Sequence, residues 1–100
     1  MKIYDIKDNQ GKVFAFEVSN FGLGRHGVCL VVETIPGATL VRRPTFLSWF
    51  RESTFCEFVV DGEIYEADEP YGDNSRYWIG SKPPRSLPQT ERVREAFARW

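Results

Sequence analysis

The sequence predicts an α+β fold: an antiparallel sheet of about five strands built on two β-hairpins, with a C-terminal helix packed on one face. Three observations carry that expectation. Asp61-Gly62 stands between two β-rich runs, a strong two-residue turn signal. Asn9-Gln10-Gly11 separates two alternating segments near the start of the chain. At its end, Val93, Ala96, Phe97 and Trp100 recur at helical spacing.

The 100 residues read as one domain, 1–100. Eight Phe, four Tyr and three Trp make a core achievable without disulfides or metals.

The first hairpin joins Lys2–Asp8 to Lys12–Val18, with Gly11 in the left-handed position of a three-residue loop. That register pairs Asp8 with Lys12, Ile6 with Phe14 and Tyr4 with Phe16. It predicts one face of Tyr4, Ile6, Phe14, Phe16 and Val18, and a mixed face holding Ile3, Asp5, Lys7, Val13, Ala15 and Glu17. Residues 28–35, Val-Cys-Leu-Val-Val-Glu-Thr-Ile, form a β-branched apolar run that predicts a central buried strand. Ile35-Pro36-Gly37-Ala38 fits a type II turn, and Leu40 to Arg43 a short strand that Pro44 ends. Residues 45–52 fit a buried helical turn capped by Thr45 slightly better than a strand.

The second hairpin runs Phe55–Val60 into Glu63–Asp68. Its two-residue turn pairs Val60 with Glu63, Phe58 with Tyr65 and Cys56 with Ala67. Residues 69–75 are rich in turn formers, and Arg76 to Ile79 predict a last strand. Ser81 to Pro88, with three prolines, reads as an extended strap whose prolines miss the P-x-x-P spacing. The final helix starts near residue 89 with Thr90 as N-cap.

A net charge of −1 argues against general nucleic-acid binding. No segment approaches the roughly 18 apolar residues of a membrane span. Met1-Lys2-Ile3-Tyr4-Asp5 lacks the apolar stretch of a signal peptide. The expected compartment is therefore the cytoplasm, with Cys29 and Cys56 as buried free thiols.

Four groups of residues carry candidate chemistry. Gly22-Leu23-Gly24-Arg25-His26-Gly27 spells G-x-G-x-x-G, the dinucleotide-binding string, and contains the only histidine. That device needs a helix after the glycines, and the sequence predicts a strand there. What remains is an anion or phosphate site made of loop amides with Arg25 and His26. Residues 57–73 hold seven carboxylates and no Lys or Arg. Glu57 falls opposite Glu66, with Asp68 on the diagonal, and like charges so placed need an offsetting cation. A divalent metal on Glu57, Glu66 and Asp68 is one such offset, and a solvated face near Arg51 or Arg76 another. A Cys-His pair from His26 and Cys29 lacks an accessible thiol. Phe46, Trp49, Phe50, Tyr71, Tyr77 and Trp78 supply aromatic surface, to which Arg42, Arg43 and Arg76 add anion contacts.

The reading that follows is a small soluble binding or interaction protein, non-enzymatic and self-associating as a homodimer, or bound to another protein or a small molecule. No cofactor is expected. The candidate ligand set is Arg25, His26, Trp49, Tyr71, Arg76 and Trp78. A metal-dependent hydrolase-like enzyme using Glu57, Glu66 and Asp68, and a phosphate site at Gly22–Gly27, are the alternatives.

Overall fold

The computed structural model describes residues 2–19, 23–42, 54–69 and 75–100. The elements are β1 (Ile3–Lys7), β2 (Val13–Ser19), α1 (Gly24–Glu33), β3 (Ala38–Arg42), β4 (Thr54–Val60), β5 (Glu63–Asp68), β6 (Arg76–Ser81) and α2 (Thr90–Ala98). The strands form one six-stranded sheet in the order β1-β2-β6-β5-β4-β3, with every neighbouring pair antiparallel. The class is α+β as expected, with six strands rather than five. The expectation for residues 45–52 lies outside the described residues.

The Asp61-Gly62 hairpin has the predicted register, from Val60↔Glu63 through Phe58↔Tyr65 to Cys56↔Ala67. Asp61 and Gly62 both take positive φ, 51° and 82°, which fits a type I′ turn. The turn at Ile35–Ala38 also forms, closed by Ala38 N donating to Ile35 O at 3.1 Å, with Gly37 at φ 81°.

The first hairpin is right at its loop and wrong beyond it. Asp8 N donates to Lys12 O at 2.8 Å, and Gly11 sits at φ 79°. Lys7↔Val13 keeps the expected pairing, but a bulge between Ile6 and Lys7 then shifts the register to Ile6↔Ala15, Tyr4↔Glu17 and Ile3↔Val18. One extra residue on β2 therefore sends the far half of β1 to the opposite face. Ile3 packs against the core. Asp5 is its same-face neighbour, and Tyr4 and Ile6 point away.

The larger correction is residues 28–35, which lie mostly in α1 and not in a strand. Gly27, Val28, Val31, Val32 and Ile35 are buried, while His26, Leu30 and Glu33 are exposed. That is helical spacing, with Leu30 52% exposed where a buried central strand would hide it. Burial of a helical stripe has overridden the β-propensity of the valines.

α1 and α2 lie on one face of the sheet and share a continuous core that includes Phe16, Val28, Val32, Phe58, Tyr65, Ile79, Val93 and Phe97. Phe97 meets Phe16 edge-on at 5.7 Å. α2 is only nine residues long, too short to persist alone, so burial of Val93, Ala96 and Phe97 holds it in place. Trp100, expected on that buried face, lies past the helix end and is 55% exposed. Thr90 does not cap the helix. Its Oγ1 lies 2.7 Å from the buried Tyr65 hydroxyl, and Gln89 occupies the cap position without a side-chain cap bond.

Among the described residues, no helix is long and apolar enough to cross a membrane.

Candidate functional site

The bulged hairpin, the strap and α2 enclose a cleft of about 440 Å³. Val13, Leu87 and Pro88 give it an apolar lining, and Asp5, Lys12, Glu91, Arg94 and Glu95 supply its charges. The bulge creates this geometry by turning Asp5 toward α2. Arg94 then grips the Asp5 carboxylate with both arms, Nε at 2.6 Å and Nη2 at 3.1 Å. Asp5, Glu91 and Glu95 together push the Arg94 guanidinium further above its ordinary value. The strap is held by the buried Ser81, whose hydroxyl accepts from Arg85 N at 2.9 Å. Leu87 O accepts the Thr90 amide at 3.1 Å and joins the strap to the helix.

The face opposite α1 and α2 carries a different group. Register places Tyr4, Glu17, Trp78 and Asp68 in one cross-strand row. The Arg76 guanidinium stacks 3.6 Å from the Tyr4 ring centroid and bonds Glu17 at 3.2 Å. Trp78 lies over Gly80, where a Cβ would fall 2.6 Å from the indole and 2.9 Å from Ala15 Cβ. Asp68 accepts from Thr54 Oγ1 at 2.5 Å.

Glu57 and Glu66 stand directly opposite each other, as the hairpin register requires. The cation between them is Lys82, whose Nζ lies 3.8 Å from Glu57 and 4.0 Å from Glu66. Lysine therefore supplies the offset that like charges demand. Among the described residues, no three His, Cys, Asp or Glu side chains converge to hold a metal ion.

A helix, not the expected strand, follows from the glycine string, and its first turn includes Gly24 to Gly27. α1 begins at Gly24, which takes φ 70°. The sheet supplies a different objection. A dinucleotide fold needs neighbouring parallel strands at a switch point, whereas β2 and β3 stand four places apart in an antiparallel sheet. Arg25 is engaged by the chain itself. Its Nε donates to Glu69 at 3.1 Å, its guanidinium lies 4.9 Å from the Phe55 ring centroid, and only 10% of its side chain is exposed. Glu69, just past the end of β5, thus reaches the first turn of α1.

His26 is exposed on α1, on the helix side of the sheet. Trp78 and Glu57 belong to the other face, so these three do not converge. Arg76 and Trp78 share the face opposite α1 and α2, while Trp49 and Tyr71 lie outside the described residues. Cys29 and Cys56 are both buried, as expected. None of the cleft residues stands among the candidate site residues the sequence suggests, because an uninterrupted register turns Asp5 away from Phe16 and α2.

Comparison with protein families, with curated proteins and with solved structures finds no match to this chain.

Proposed function

We propose that this chain is a non-enzymatic binding protein whose ligand sits in the cleft between the first hairpin, the strap and α2. The observation that supports the reading is the cleft itself. At about 440 Å³ it falls in the size range of small-molecule sites, roughly 300–1,000 Å³, and it sets an apolar strip of Val13, Leu87 and Pro88 among charged and hydroxyl side chains. Asp5 and Arg94 neutralise each other, which leaves Glu91 and Glu95 against Lys12 at the rim. The residual charge favours a ligand with an apolar body and a positive group. Calorimetric titration with benzylamine and with benzoate tests this. The amine binds more tightly than the acid, and Glu91→Gln with Glu95→Gln narrows the difference. Equal affinity, or heat from neither, removes the reading.

Self-association through the outer edge of β3 is the second part of the proposal. An edge strand offers unpaired backbone groups, and Val41 on β3 is 62% exposed. Sedimentation at micromolar concentration gives a dimer that Val41→Lys converts to monomer. A wild-type monomer ends this part.

A further inference from the structure

The chain has two cysteines, 27 positions apart, with no redox or metal spacing between them. The fold brings them together. Cys29 Sγ on α1 and Cys56 Sγ on β4 lie 3.4 Å apart, in S–H···S contact. Their residues are 2% and 0% exposed. Cys29 belongs to the buried stripe of α1, and Cys56 faces it from the core side of the sheet opposite Ala67.

We propose that Cys29 and Cys56 form a redox-modification site, an intramolecular disulfide that ties α1 to β4. A disulfide needs its sulfurs at ~2.05 Å, so about 1.4 Å of approach remains, within reach of side-chain rotation and a small helix shift. The oxidant is a small hydroperoxide. One cysteine attacks its terminal oxygen, the O–O bond breaks, and a sulfenic acid and water (or an alcohol) form. The second thiol attacks that sulfur, the S–O bond breaks, and a second water leaves as the S–S bond forms. The two thiols lose two protons and two electrons in all, and the peroxide takes up both. Burial makes the reaction slow, because the oxidant must wait for local opening of the core.

The test uses the intact chain treated with hydrogen peroxide and analysed without reductant. The folded protein loses about two mass units, the two thiol hydrogens. Digestion yields one peptide pair linked through Cys29 and Cys56, and dithiothreitol restores the original mass. The oxidised chain melts about 10 °C higher than the reduced one, since the bond closes a long loop in the unfolded state. Cys29→Ala and Cys56→Ala, checked for folding by circular dichroism, form no internal link. If either variant fails to fold, the peptide map of the wild type decides alone. Failure to link while the protein stays folded overturns the proposal. So does linkage only between two copies, or a link that leaves the melting temperature unchanged or lowers it.

Discussion

The Tyr65–Thr90 pair is the buried polar link between the sheet and α2, and removing one partner should cost more than removing both. The two hydroxyls lie 2.7 Å apart, with Tyr65 at 0% and Thr90 at 2% exposure. Tyr65→Phe leaves the threonine hydroxyl without this partner, at about 1–2 kcal/mol. Thr90→Val keeps the shape but orphans a phenol deep under the helix, at about 1.5–3 kcal/mol. The double variant places two apolar groups face to face and should cost about 1 kcal/mol, well below the sum. Urea unfolding followed by circular dichroism measures all four corners of the cycle. For a chain of this size a loss of about 1.5 kcal/mol moves the midpoint by roughly 1 M. Burial pushes the Tyr65 phenol above its usual value of 10.0, against the opposite pull of the Thr90 bond, so the stability linked to keeping the buried phenol neutral is present below pH 10 and falls as pH rises beyond it. Single variants costing under about 0.5 kcal/mol, or a double variant equal to the sum, would refute the argument.

The other predictions concern the sheet face opposite α1 and α2 and the two turns beneath α2. Gly80→Ala puts a methyl 2.6 Å from the Trp78 ring and 2.9 Å from Ala15 Cβ. The indole must move off the sheet, at about 1–3 kcal/mol, and the tryptophan emission shifts red; unchanged stability and emission contradict the packing. Arg92 donates to Asp61 at 2.7 Å and to Pro36 O at 2.9 Å, joining two turns to the helix. Its guanidinium holds the Asp61 carboxyl below the ordinary 3.8. The stabilisation is therefore present above pH 3.8 and lost as pH falls through the lowered value. Arg92→Met removes that acid-limb dependence, and an unaltered slope of stability against pH counts against the contact.

Legibility followed how local each signal was. The Asp-Gly turn fixes the register of β4 and β5 by itself, so Glu57 opposite Glu66 was readable, together with the need for a cation. That Lys82 is the cation was not readable, because it depends on where the strap leaves β6. The three-residue loop was legible for the same local reason. The bulge one pair further on was not, and it decides which residues line the cleft. α1 was obscured by its valines, although the alternation of His26, Leu30 and Glu33 with buried pairs was present in the sequence. The Cys29–Cys56 contact needs both the helix and the crossover to β3, which no spacing rule reveals.

The central claim, that the cleft is the binding site, is tested most directly by a fragment titration of the isotope-labelled chain followed by two-dimensional NMR. The fragments are small amines, acids and neutral aromatics. The account predicts that shifted amides cluster at Val13, Leu87, Glu91 and Arg94, with amines acting below acids in concentration, and that Leu87→Glu abolishes the effect. Shifts confined to the opposite sheet face around Trp78, or no shift with any fragment, would contradict it.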